Sequence, residues 1–329
     1  MLVGDKGLAA RLRAKLRLPV IAGPMFIAST PELVIAQCKA GIVGAIPALN
    51  LRSTELLDEA IARIKAELAA YHKAHPDRTP APFAVNVVAH PSNDRKEADV
   101  EVILRHQVPI VIVSLAAPTD IVSRVHDYGG TVWNDVISDR HARKCAEAGV
   151  DGLIAVCAGA GGHTGNLSPF ALVQEIRQWW QGPLALSGCI ATGSSILGAL
   201  AMGADFAYIG SPFLASTEAN TQVEFKKMVV ECTAKDVIIS NCFTGVYATF
   251  LRPSVVANGL DPDNLIRREA GISVKDGGAN AKAWRDIWSA GQGIGAVAES
   301  GPAAELIARW ASEFEAAKAR LSGLTNGEL

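Results

Sequence analysis

The stretch EAGVDGLIAVCAGAGGHTGNLSPFALVQEI, residues 147–176, reads as one full turn of a repeating fold. A helix end gives way to Gly149, as helix ends with a following turn do. The apolar run GLIAVCA (152–158) comes next, without polar alternation. That is how a strand buried on both faces reads. A glycine-rich loop carrying His163 follows. Ser168-Pro169 then opens a helix with a cap and a first-turn proline, and Leu172, Val173, Ile176 and Trp180 keep helical spacing.

The same unit recurs outward in both directions. Apolar runs lie at 19–25, 42–48, 83–88, 109–116, 131–137, 152–158, 183–189 and 206–213. Helix ends with a glycine recur in KAGIVGAI (39–46) and AMGADFAYI (201–209). Ser29-Thr30-Pro31-Glu32 places a cap, a first-turn proline and a capping-box glutamate in order. Eight strand-helix units predict a (β/α)8 TIM barrel. A doubly wound open sheet is the runner-up, but no GxGxxG opens its first unit.

The rhythm breaks near residue 215. Residues 216–290 read as helices and loops, including NGLDPDN (258–264) and a flexible KDGGANAK (275–282). They are expected to form a cap or lid inserted after strand 8. Residues 1–215 and 291–329 then make the barrel, its outer ring closed by a helix over 302–322.

Composition narrows the function. The chain has 329 residues, 49% hydrophobic, and a formal charge of −2. Neither nucleic acid nor an anionic membrane finds an electrostatic partner here. The N-terminus lacks a signal-peptide core, and no apolar run reaches the roughly 18 residues of a membrane span. The six cysteines, at 38, 145, 157, 189, 232 and 242, form no CxxC pair. They read as reduced thiols of a cytoplasmic protein, with Cys157 and Cys189 packed on strands. No metal site is expected, because His163 has no second ligand at metal spacing.

In such a barrel, reactive groups gather at the C-terminal ends of the strands. Those ends carry Gly23-Pro24-Met25, Asn86, Ser114, Asn134-Asp135, Gly161-Gly162-His163, Ser187-Gly188 and Gly210-Ser211. Strand 7 leads into a glycine turn and a Ser-capped helix. Backbone donors, a hydroxyl and a helix N-terminus would converge there on a phosphate. Equally, the glycines could serve only tight turns. The glycines around His163 would admit a planar ligand close to the backbone, and an imidazole there could exchange a proton near neutral pH. Asn86, in a buried strand, needs partners: a heteroaromatic ring or a neighbouring backbone group. Trp288, Ser289 and Gln292 sit where the irregular region returns to the barrel.

The motifs AGPM, VNV, AGAGGHTG, LSGCIATG, YIGSPFLAS and WSAGQG together resemble the nitronate monooxygenases, along most of residues 19–300. The resemblance implies a TIM barrel binding FMN without a covalent bond. It places the phosphate on Gly188 and Gly210-Ser211, and the ring against Gly23, Pro24 and Met25. Asn86 would approach the ring or the polyol chain. Asp135, Gly161, Gly162, Ser187 and Tyr208 would complete the cofactor side. His163 would be the catalytic residue and, with Trp288, line the substrate side. The implied reaction is oxidation of an alkyl nitronate with dioxygen to a carbonyl compound and nitrite. Expected partners are that small molecule and dioxygen, with a homodimer as one assembly. A flavin-dependent enoyl-thioester reductase, NAD(P)H-driven, is the alternative within the superfamily. A phosphate-ligand lyase or isomerase on the same barrel would usually want a Schiff-base lysine or an acidic base at a strand end, and no lysine lies at any of the eight. Tyr208 stands where many relatives carry glutamine, Ser-Gly-Cys where Ala-Gly-Gly is commoner, and strand 5 lacks the basic residue some relatives place near the flavin.

Overall fold

The computed structural model describes residues 4–266 and 284–325. The stretch 275–282 lies outside them. Eight parallel strands alternate with helices: β1 (Val20–Ala22), β2 (Gly44–Pro47), β3 (Phe83–Val88), β4 (Ile110–Ser114), β5 (Thr131–Val136), β6 (Gly152–Val156), β7 (Leu184–Ser187) and β8 (Phe206–Ile209). Each falls within one of the eight apolar runs. β8 pairs with β1, and a bridge between Ile21 and Val43 joins β1 to the start of β2. The sheet thus closes on itself as a TIM barrel.

The helices are α1 (Lys6–Arg13), α2 (Pro31–Ala40), α3 (Thr54–Ala74), α4 (Lys96–Arg105), α5 (Val122–His126), α6 (Asp139–Glu147), α7 (Pro169–Arg177), α8 (Gly193–Ala201), α9 (Val223–Glu231), α10 (Arg252–Ala257) and α11 (Ala303–Thr325). α11 packs on α8 and α2 and closes the outer ring. Its Trp310, fully buried, donates its indole N–H to Ala191 O at 2.8 Å.

Why the strands are apolar throughout follows from the two faces of each. One face packs outward on the helices, with Val85, Val111, Leu153 and Leu186 in that layer. The other fills the barrel: Ile21, Ala84, Ile110, Ile112, Trp133, Ile154, Ala185 and Phe206 form a separate cluster. α1 adds Ala9 and Leu12 to it and plugs the N-terminal end. Trp133 and Phe206 meet edge to face at 5.7 Å, a favoured aromatic geometry. Gly152 makes room for them, because a Cβ there would lie 2.4 Å from the Trp133 ring.

Local punctuation differs from expectation in three helices. Thr30, not Ser29, caps α2, accepting from Leu33 N. Glu32 is then one residue short of the capping-box position and pairs with Arg63 instead. Ser29 accepts from Met25 N at 2.9 Å. Likewise α8 is capped by Thr192, and Ser195 completes the reciprocal box from inside the helix. Ser168 precedes Pro169 at the start of α7 but makes no side-chain cap.

The region after residue 215 is not only helices and loops. It contains an antiparallel pair, β9 (Val237–Ser240) and β10 (Ala248–Leu251). Phe243, Phe250, Val255 and Ile287 form a small core of its own around that pair. The pair escaped the sequence reading because it interrupts a barrel pattern of parallel strands with four-residue pieces.

Trp133 is 1% exposed at the centre of the interior cluster. Trp133→Ala should cost about 3–5 kcal/mol. A urea titration should show the midpoint falling with the slope unchanged.

Candidate active site

The barrel interior changes character along its axis. Its lower positions are apolar. Inward positions toward the C-terminal ends of five strands are polar: Asn86, Ser114, Asp135, Ser187 and Tyr208. Register and alternation bring them to one end. Three are linked in a chain whose donors all point one way. Asn86 Nδ2 donates to Ile112 O at 3.1 Å and to Ser114 Oγ at 2.8 Å. Ser114 Oγ in turn donates to Asp135 Oδ2. Asn86 therefore satisfies neighbouring protein groups with its amide N–H, the second of its two expected roles. Burial pushes the Asp135 carboxyl up to about 6, and pushes the Tyr208 phenol well above its usual range, with Asp135 nearby adding to the effect. Ser114 was seen in the sequence only as a strand end. Its linking role needed the β4–β5 register.

Beside this polar end lies a small cavity, partly open to solvent. Its walls are the ends of β7 and β8 (Ser187 to Ile190, Tyr208 to Pro212), the loop 159–161, and Gly291 and Gly293. No lysine or arginine lines it among the described residues. An anion there would be held by amide and hydroxyl dipoles, as in a backbone nest. Gly188 has φ +139°, and a Cβ on it would lie 2.9 Å from Ala158 O, so the turn requires glycine. Ser211 Oγ accepts from Gly291 N at 2.8 Å, which leaves its own O–H to donate elsewhere.

The helix N-terminus expected to share this task is turned to another partner. Gly193 N donates to Glu313 Oε2 of α11 at 2.7 Å, and the amides of Ala191 and Thr192 donate to Ser195 Oγ. The start of α8 is thus spent within the protein. Cys189 is exposed at the cavity rather than packed. Cys157 is buried, and its thiol is pushed up to about 12.

The glycine loop before His163 serves loop packing more than ligand approach. A Cβ on Gly161 would lie 2.6 Å from Ser211 Oγ and 2.9 Å from Gly291 N. Only Gly162 faces open space, with Trp284 its nearest neighbour at 4.0 Å. The loop is fastened by the inserted region. Gly162 N donates to Ser289 Oγ at 3.0 Å, Thr249 N to Gly162 O at 3.0 Å, and Thr164 N to Tyr247 O at 3.1 Å. His163 itself forms a bridge with Ala248. Nothing in the barrel pattern signals Tyr247 or Thr249, because they come from outside the repeat.

His163 is exposed, and desolvation by the surrounding protein holds its pKa below the usual 6.5. It meets Trp284 edge to face at 5.5 Å. Trp288 is placed differently: its indole stacks on Phe225 at 5.0 Å and donates to Arg285 O. The aromatic beside His163 is therefore Trp284. Gly23 and Gly210 adjoin at the mouth, and a Cβ on Gly210 would lie 3.4 Å from Met25 Cγ. Met25 and Pro24 are half-buried there.

A depressed imidazole pKa means the unfolded chain takes up the proton first as pH falls. The stability tied to neutral His163 is present above 6.5 and lost as pH drops through the folded value. An NMR titration of the His163 ring, assigned with His163→Gln, should give a midpoint below 6.5. A midpoint above it would mean a charge partner holds the ring.

A family model described as Nitronate monooxygenase matches residues 10–313. The nitronate monooxygenase of Paraburkholderia phytofirmans (strain DSM 17436 / LMG 22146 / PsJN) is 27% identical over 353 residues, covering 94% of this chain and 95% of that one. Two solved structures share the fold. The nitroalkane oxidase from Streptomyces ansochromogenes superposes with a TM-score of 0.79 at 23% identity, over 94% and 99% of the two chains. FabK from Thermotoga maritima gives 0.76 at 24% identity, over 96% and 98%. Within a TIM barrel whose polar end meets a glycine-built cavity and a histidine loop, the match over nearly the whole chain shows that this oxidoreductase belongs to the nitronate monooxygenase family of flavin enzymes.

Proposed function

We propose that the protein binds FMN at the polar end of the barrel and oxidises a small alkyl nitronate with dioxygen, giving a carbonyl compound and nitrite. The observation that carries this reading is the pairing of a neutral, anion-sized cradle with an uncompensated polar group. The cradle is built from Gly188, Gly210 and Ser211. The polar group is Asp135 Oδ1, buried and without a partner among the described residues. A phosphate at one end and a heteroaromatic edge with N–H donors at the other would satisfy both. Gly188, Gly210 and Ser211 would hold the phosphate. Gly23, Pro24, Met25, Asn86, Asp135, Ser187 and Tyr208 would border the ring, with Gly161 and Gly162 beside it.

When bound, FMN supplies the ring that takes electrons from the nitronate and passes them to dioxygen, and the protein supplies position and electrostatics. His163 is the catalytic residue in this reading. Its ring is neutral near pH 7, because its pKa is below 6.5. A neutral imidazole has one N–H to donate to a nitro oxygen and one lone pair to take a proton. The hydrogen bonds with Ser289, Thr249 and Tyr247 hold its loop in place, so the inserted region positions the catalytic ring.

A second reading, an enoyl-thioester reductase driven by NAD(P)H, is favoured by one feature. Apolar side chains stand exposed on segments that follow the strand ends: Phe26 at 49%, Phe170 at 63% and Tyr247 at 48%. A longer acyl substrate would use such a rim.

An anaerobic absorbance titration separates the two. Under the first reading, the flavin band bleaches or passes to a one-electron form on addition of a small alkyl nitronate alone. Bleaching by NADH only would support the reductase. His163→Ala should keep the flavin band and lower kcat/KM for the nitronate by about 10²–10⁴-fold. Full activity in that variant would remove the histidine from the chemistry. Gly188→Val should release the flavin, and a variant that stayed fully yellow would remove the β7 turn from the site.

A further inference from the structure

Asp135 is a half-buried acid, its Oδ1 fully enclosed, with an unusual set of neighbours. On β4, Ser114 Oγ donates to its Oδ2. On β3, Asn86 stands behind Ser114 and donates to it. β6 presents Ile154 opposite in register. On β8, Tyr208 is close enough for the carboxylate charge to act on its phenol, and on α6 the Cys145 thiol is affected in the same way. Both stay protonated through the neutral range, Tyr208 well above 10 and Cys145 at about 12. Lys144, next to Cys145 on α6, is exposed and acts on that thiol. Among the described residues no lysine, arginine or histidine forms an ion pair with Asp135. Its second oxygen, Oδ1, is buried and has no partner.

A buried carboxylate oxygen without a donor is costly, and native structures rarely keep one. Neither the Tyr208 phenol nor the Cys145 thiol donates a hydrogen bond to that oxygen. The chain from Asn86 through Ser114 runs toward Asp135, which suits an acceptor and not a donor. A bound molecule with an N–H to give would supply the missing partner.

We propose that the Asp135 carboxylate is the acceptor for the imide N–H of the bound flavin ring, so that the cofactor is anchored inside the barrel by an unpaired acid. This rests on the flavin reading above. The carboxylate must be ionised to accept through both oxygens, so cofactor binding and Asp135 ionisation are linked. Without the cofactor, the raised pKa means that ionisation costs stability as pH rises through about 6. The bound N–H offsets part of that cost and draws the pKa back down.

The test is the dissociation constant of FMN, read from quenching of flavin fluorescence on addition of apoprotein between pH 5 and pH 8. FMN's own phosphate titrates near pH 6, so Asp135→Asn serves as the reference that carries only that titration. The ratio of the two constants should show the wild type losing about tenfold in affinity from pH 8 to pH 5 relative to the variant. Ser114→Ala, which leaves the acid in place and removes its donor, should move the break to higher pH. A ratio flat with pH, or affinity that rises toward pH 5, would overturn the inference while leaving FMN as the cofactor. Wild-type protein that bound FMN at no pH would overturn the flavin reading and this inference with it.

Discussion

Ala22 N donates to Val43 O at 2.8 Å, and Val43 N donates to Val20 O at 3.1 Å. These two backbone hydrogen bonds carry the contact between the first strand and the second, where the eight-stranded sheet would otherwise have two edges. Closure gives the sheet an inside, and an inside of this width must be filled by side chains. Ile112, Trp133, Ile154 and Phe206 fill it, and α1 seals its lower end. Only at the C-terminal end does the filling become polar. The site is therefore a consequence of closure: five strands deliver one polar residue each to the same small volume, at the one end the apolar core leaves open.

The low dielectric of that interior is what makes the polar layer chemically active. An aspartate on the surface would be ordinary. Asp135, inside the barrel with hydroxyl and phenol neighbours and no cation, has its pKa pushed up to about 6. The same loss of water acts on His163 in the opposite sense, since its charged form is the cation. Desolvation thus favours the neutral form of both groups.

The inserted region does a second job. Its strand β10 and the residue before it add to the edge of the His163 loop, much as one strand adds to another, through Thr249 and Tyr247. Ser289 supplies a further acceptor. A glycine-rich loop has high conformational entropy in isolation. Here that freedom is removed by partners distant in sequence, so the barrel provides the position of His163 and the insertion provides its rigidity.

Much of this was legible in the chain. Strands buried on both faces leave continuous apolar runs, and all eight could be read because backbone burial dictates composition directly. Asn86, Asp135 and Tyr208 were visible as polar residues near strand ends, and His163 as an isolated imidazole among glycines. What the sequence could not show was direction and partnership. The one-way hydrogen-bond chain from Asn86 to Asp135 depends on strand register. The turning of the α8 N-terminus toward Glu313 depends on where α11 docks. The choice of Trp284 over Trp288 beside His163, and the fastening of its loop by Tyr247 and Thr249, depend on how the insertion folds back. Periodicity along the chain is local and specifies elements. Which side chain meets which is set by packing between residues far apart, and only the closed tertiary structure decides it.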